Sequence, residues 1–381
     1  NILEMEPIMK KINNLCLMII ANTGGSGITA VFWFIIAALL VPSEYGEIQY
    51  FIAIAGLGYI ISLIGTSEVI TVYTAKKIQL QSTLILISLI AGTISGVVIL
   101  FLFSKVDVNF LILAFIINDI GLGYLLGKRF FSKYSKYLVT QKSLTLGLGL
   151  SFYFIFGVEG ILFGLALSYI HFTIIIFNVL KSSKINFSLL KTHFGFVGNN
   201  YAISISSVAK NNLDKIIVVP IIGFEILGNY ALALQFYAVF MIFSKVVYQY
   251  TLPHDSVGQT TTKAKVIALI LSVIITVLGI TITPFIMPII FPEYNEAIIA
   301  IQIISLAVIP STVGLILTSG FLGNENSKIV LSGRIMFVIT IITLIVILTP
   351  IYGIVGIASS FVIASIIQSV LFVCYKLKKN L

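Results

Sequence analysis

Charge is scarce in this sequence. Only 10% of its 381 residues are Asp, Glu, Lys or Arg, whereas 59% are hydrophobic. A water-soluble domain carries about 25% charged residues, so this chain lacks the polar surface that water demands. Cysteine is nearly absent. Cys16 and Cys374 sit in apolar runs near opposite ends, which excludes a disulfide framework and makes both small hydrophobes. His171, His193 and His254 are far apart and lack metal-ligand spacing, so no metal site is expected. A Gly-rich phosphate loop is missing, which excludes an internal ATPase of the Walker type. No segment outside the apolar runs is long enough for a soluble catalytic domain or a sugar-nucleotide site. The chain is therefore expected to be no enzyme and to carry no cofactor.

What is present is apolar sequence in membrane-length pieces. One helical crossing takes about 20 apolar residues. Stretches of that kind fall at 12–41, 48–74, 83–104, 108–127, 138–158, 160–180, 197–222, 227–252, 265–291, 296–322, 329–349 and 352–375. They predict an all-α polytopic membrane protein of about 12 transmembrane helices. The fifth is the weakest, because Ser143–Phe156 is short, contains Gly147 and Gly149, and follows a basic stretch. Leu15–Val41 is long enough to span and has no small-residue cleavage site, so it is expected to stay as the first helix.

The basic residues are sorted by side. With the N terminus inside, cytoplasmic segments hold Lys10, Lys11, Lys76, Lys77, Lys128, Arg129, Lys133, Lys136, Lys142, Lys181, Lys184, Lys191, Lys263, Lys265, Lys328, Arg334, Lys376, Lys378 and Lys379, and the opposite side has only Lys105. The positive-inside rule then places both termini in the cytoplasm of a cell-membrane protein. The net charge of +9 reflects this topology, so no nucleic-acid partner is read into it. Lysine-rich loops on that side attract anionic membrane lipids.

A repeat divides the chain. Gly157-Val158-Glu159-Gly160 recurs as Gly353-Ile354-Val355-Gly356 at an offset of 196, which also carries Gly127 onto Gly323. Glu44-Tyr45-Gly46 after the first helix is echoed by Glu225-Ile226-Leu227-Gly228 after the seventh. Six helices per copy is an even number, so both copies enter the membrane in the same sense. The expected architecture is two parallel six-helix lobes around a central cavity, residues 1–190 and 191–381, with a linker near Lys181–Gly195. Two lobes already enclose a cavity, so a monomer is expected. In secondary transporters such halves rock about a central site.

Ionisable groups at hydrocarbon depth mark function unless they reach the interface or pair structurally. Glu68, Asp119, Lys210, Asp214, Lys215 and Lys245 fall inside predicted spans. Glu68 is close enough to a helix end to reach the interface, whereas Asp119, beside Asn118, is near mid-helix. The seventh span is far too polar for a lipid-facing helix, with Ser204, Ser206, Ser207, Lys210, Asn211, Asn212, Asp214 and Lys215. Lys210 and Asp214 are four apart, so a structural ion pair is one reading of them. Lys215 and Lys245 have no evident partner. The middle of the second half is then net positive, as a site that holds an anion would be. Pro284, Pro288, Pro292 and Pro310 are candidate kinks.

Two stretches carry a resemblance. Val41-Pro42-Ser43-Glu44-Tyr45-Gly46 resembles the turn after the first helix of the polysaccharide flippases, the O-antigen and repeat-unit exporters of the multidrug/oligosaccharidyl-lipid/polysaccharide (MOP) superfamily. Asp214-Lys215, Gly223, Gly228-Asn229-Tyr230-Ala231 and Pro253 are similar to that family's pattern from the seventh to the eighth helix. Many members have fourteen helices, against the twelve counted here. The resemblance implies translocation of a polyprenyl-(di)phosphate-linked oligosaccharide to the outer leaflet. Lys210, Lys215 and Lys245 are then the candidates for binding its anionic head group. Ser204, Ser207, Asn211 and Asn212 are candidates for lining the cavity, and Asp119 and Asp214 for coupling to H+ or Na+. Efflux of the multidrug and toxin extrusion type is the first alternative, which the net positive charge argues against. A non-transporting subunit of a polysaccharide assembly machine is the second.

Overall fold

Gly157 and Gly353, the first glycines of the repeat, both have positive φ, 71° and 54°. A side chain is strained in that region, so glycine is what lets the chain reverse between two helices. The next glycine of each copy then sets the packing. A Cβ at Gly160 would collide with the carbonyl oxygen of Phe152, and one at Gly356 with that of Leu348. Phe152 and Leu348 are themselves 196 apart, so the repeat seen in sequence is a repeated helical hairpin.

The computed structural model describes the backbone of residues 2–256, 259–324 and 326–379, and their side chains apart from 2–16, 206, 207, 209–211, 253, 256 and 379. Among the described residues all regular structure is helical: α1 (Ile2–Leu39), α2 (Pro42–Ser62), α3 (Ser67–Ala75), α4 (Gln81–Phe103), α5 (Val106–Gly127), α6 (Phe131–Phe156), α7 (Gly160–Leu167), a single tight turn (Ile170–Phe172), α8 (Thr173–Ser182), α9 (Phe187–Thr192), α10 (Phe194–Phe240), α11 (Ile242–Ser256), α12 (Thr262–Ile290), α13 (Asn295–Ser305), α14 (Val308–Gly323) and α15 (Ser327–Lys379).

Eight helices among these residues are long and apolar enough to cross a membrane, or nine if α13 and α14, bent by 43°, form one span. The chain is a multi-pass membrane protein. Two of the long helices contain a reversal, at Gly223 (φ 83°) in α10 and at Gly353 in α15. Divided there, the rods fall in the predicted order: α1, α2 with α3, α4, α5, α6, α7 with α8, the two parts of α10 (the second continuing into α11), α12, α13 with α14, and the two parts of α15. α6 is not among the eight because its sequence is more polar.

Three expectations are corrected. The second span is broken, with α2 ending at Ser62 and α3 starting at Ser67. The fifth span, expected from residue 138, starts earlier, since α6 already begins at Phe131. Pro284 and Pro288 lie inside a continuous α12, while the tenth span bends just before Pro310, which then occupies the first turn of α14, where proline is tolerated.

The chain forms two compact units, Asn1–Phe32 with Ile54–Val208, and Trp33–Ala53 with Ala209–Leu381. In the first, α1 and α6 share a seam. Gly25 lies against Lys142, and seven residues on in both helices Phe32 lies against Gly149. A Cβ at Gly164 would come within 2.7 Å of Leu148 O, which fastens α7 to α6. In the second unit, hydroxyls join α10 and α11 to α14: Tyr237 donates to Ser311 (2.7 Å), Ser244 bonds Thr312 (2.7 Å) and Thr251 donates to Ser319 (3.1 Å). Positions 237, 244 and 251 are seven apart, so they line one stripe, and hydroxyls across helices replace the hydrophobic force that lipid removes.

Candidate functional site

The polar stretch of the seventh span lies in α10, across the boundary between the two units. The side chains of Ser207, Lys210 and Asn211 lie outside the described residues. Ser204 is half-buried in the first unit and Asn212 half-buried in the second.

Asp214 is 3% exposed, and its Oδ2 accepts a 2.9 Å hydrogen bond from the Tyr230 hydroxyl, while Oδ1 has no partner. Both residues are on α10, one on each side of the Gly223 reversal. The bond therefore closes the hairpin, which gives a physical reason for Asp214, Gly223 and Tyr230 to occur together. Lys215, one residue on, points a different way round the helix. It is half-buried and has no partner among the described residues. Lys245, on α11, is likewise unpaired among them but more exposed. Beside it, Ser244 is held by Thr312.

Asp119 belongs to the first unit. Its Oδ2 accepts from the backbone N–H of Ser67 at 2.7 Å, so it helps cap the N terminus of α3. Thr66 adds a longer bond to Val69 N (3.4 Å), and Ser88 accepts from Gly65 N (3.4 Å). On the other side of the break, the Tyr201 hydroxyl donates to Ile61 O at 2.6 Å. The interruption in the second span is thus satisfied by side chains, as lipid requires. Tyr59 hydrogen-bonds the Asp119 carboxylate, and the exposed Glu68 in the first turn of α3 lies near enough to repel it. Two acids and a phenol gather at a half-helix N terminus within the first unit.

Sequence reasoning missed Lys142. Counted with the cytoplasmic segments although 138–158 includes it, it sits eleven residues into α6, about 17 Å along the helix axis. It is half-buried, without a partner among the described residues, and its Cγ would be 3.1 Å from a Cβ at Gly25. The signal was available: Phe131–Phe156 has no breaker residue until Gly147, so helix is permitted through Lys142.

Asp255 was not singled out either. At the end of α11 its carboxylate takes Lys265 Nζ on both oxygens (2.7 and 2.8 Å), Ser319 at 2.6 Å and Thr261 at 3.0 Å. Burial alone would raise this carboxyl, but the three hydrogen-bonding partners and the Lys265 charge outweigh it and hold it below the ordinary carboxylate range.

No protein-family model matches the sequence, and no curated protein does. Solved structures match over nearly the whole chain. The lipid II flippase MurJ in an inward closed conformation aligns with a TM-score of 0.74, 16% identity, and coverage of 95% of this chain and 87% of that one. An inward-facing multidrug resistance MATE family transporter of the MOP superfamily gives 0.72, 14%, and 94% of each chain. A MOP superfamily transporter from Pyrococcus furiosus with reverse polarity of its binding pocket gives 0.62, 15%, 96% and 95%. The chain has the MOP transporter fold. Within the MOP fold, identities this low say nothing of cargo, and flippase and drug exporter match almost equally well.

Proposed function

We propose that this protein is a flippase that moves a polyprenyl-phosphate- or polyprenyl-diphosphate-linked oligosaccharide from the cytoplasmic to the outer leaflet. It works by alternating access of two six-helix lobes, 1–190 and 191–381, as a monomer in the cell membrane. One observation carries the reading. Lys215 is half-buried in a spanning helix, its neighbour Asp214 is turned to Tyr230, and no described carboxylate pairs with it. A cation at that depth is stable only where water or an anionic ligand meets it. The phosphate of a lipid-linked glycan is such a ligand, and Lys245 and Lys210 are its further contacts. Ser204, Ser207, Asn211 and Asn212 offer hydrogen bonds to the sugars.

Asp119 with Glu68 and Tyr59 is the better candidate for H+ or Na+ coupling, because Asp214 is committed to Tyr230. The same acidic group favours a second reading, ion-coupled export of cations. Replacing Lys215 or Lys245 by alanine separates the two. A flippase loses at least tenfold in surface glycan at normal protein level, whereas a cation exporter keeps its drug resistance. Unchanged surface glycan in both variants would overturn the flippase reading.

A further inference from the structure

The exposed face of α6 is polar where that of α12 is apolar. Ser132, Lys133, Lys136, Thr140, Ser143, Gly147 and Ser151 are all exposed. At 100° per residue they occupy an arc of roughly 100°. Between Val266 and Val277 on α12 the exposed positions are instead Val266, Ile267, Ile270, Val273, Ile274 and Val277. From Ser132 to Ser151 the polar arc rises about 28 Å, close to the ~30 Å hydrocarbon thickness. Exposed Val139 borders it, and it gives way to exposed Phe154, Ile155 and Phe156 at the last turn.

The hydroxyls themselves are unspent. Lipid-facing threonines on other helices donate to their own backbone, Thr93 to Leu89 O (2.9 Å) and Thr281 to Val277 O (2.8 Å). That is how a hydroxyl is tolerated in hydrocarbon. Thr140, Ser143 and Ser151 make no hydrogen bond among the described residues. The buried side of α6 carries its own hydrogen bonds: Gln141 donates to Thr145 (2.7 Å), and Thr145 bonds Ser168 at the end of α7 (3.1 Å). Polarity on the exposed arc is therefore not needed to hold α6 in its unit.

We propose that this arc of α6 is a hydrophilic track, wet along its length, on which the oligosaccharide of a lipid-linked cargo crosses the membrane. A neutral polyhydroxyl ligand matches a row of free hydroxyls and a glycine gap, while Lys133 and Lys136 at one end meet its phosphate. The proposal rests on the flippase reading for its cargo, but the track's wetness does not.

The test replaces Cys16 and Cys374 by alanine and introduces Ser143→Cys, Ser151→Cys, or the lipid-facing controls Ile94→Cys and Ile274→Cys. Membranes are then treated with a sulfonate-bearing, membrane-impermeant methanethiosulfonate. Ser143→Cys and Ser151→Cys are expected to react at least tenfold faster than the controls, and equal rates would overturn the track. A second variant, Gly147→Leu, adds bulk where nothing lies within 4 Å of a Cβ, so the unit itself is undisturbed. It is expected to cut surface glycan at least tenfold at normal protein level. Fast labelling with unchanged glycan in Gly147→Leu, but lost glycan in Lys215→Ala, would overturn the glycan track and leave the flippase reading standing. Disulfide-linked dimers of Ser143→Cys would show the arc to be an interface between copies, and would also overturn it.

Discussion

Gly46 and Gly228 make the same contact in opposite directions. A Cβ at Gly46 would strike the carbonyl oxygen of Phe224, four residues before Gly228, and a Cβ at Gly228 would strike that of Pro42, four residues before Gly46. Both residues lie within the second unit, to which Trp33–Ala53 belongs. Glu44-Tyr45-Gly46 and Glu225-Ile226-Leu227-Gly228 are thus the two sides of one close helix contact.

Neither glycine should tolerate a side chain. We expect Gly46→Ala and Gly228→Ala each to lower stability by about 1–3 kcal/mol, the usual cost of overpacking. Thermal unfolding in detergent reads this directly. Gly198→Ala, where a Cβ meets nothing within 4 Å, is the control and should not destabilise.

Tyr230→Phe strips Asp214 of its described hydrogen bond and leaves a buried carboxylate unsatisfied. The expected cost is about 1–3 kcal/mol, and Asp214→Asn should cost less because it removes the charge. In the double variant the two losses should not add. Additive losses in unfolding measurements would show that the bond does not tie the hairpin.

Asp119→Asn keeps an acceptor for Ser67 N–H but removes the charge. Stability should therefore change little. If Asp119 couples transport, glycan delivery should fall at least tenfold and lose its response to a dissipated ion gradient. Normal delivery in membranes with normal protein level would leave Asp119 as a cap only.

Asp255 makes stability depend on acidity in a defined direction. Its folded carboxyl is held below the ordinary range, so its contribution is complete above the unfolded aspartate value of about 3.9 and is lost as pH falls through the lower folded value. Asp255→Asn should unfold at a lower temperature than the parent at neutral pH, and the gap should close on acidification below that range. A gap that is constant with pH would mean the Lys265 pair contributes nothing.

Lys142→Met keeps a stem against Gly25 and removes the charge, so it should fold normally. If the first unit also presents a cation to the cargo, surface glycan falls in Lys142→Met and recovers in Lys142→Arg. Wild-type delivery in both would make this lysine a packing residue.

Twelve rods, their order and the hairpin repeat were legible in the sequence, because lipid imposes one rule on every crossing and glycine turns leave their own mark. Apolar length and charge sorting are local properties that need no tertiary contact. The break between Ser62 and Ser67 was not legible, since it is stabilised by Asp119 and Tyr201, 52 and 140 residues away in the bonds they form. Lys142 and the free hydroxyls of α6 were hidden for a related reason: a polar run reads as a loop until packing shows which side of the helix it occupies. Composition thus determined that this chain lives in a membrane. Which of its few polar groups are already satisfied, and which are left to meet a ligand, was decided by tertiary structure, because hydrogen bonds are closed by residues far apart in the chain.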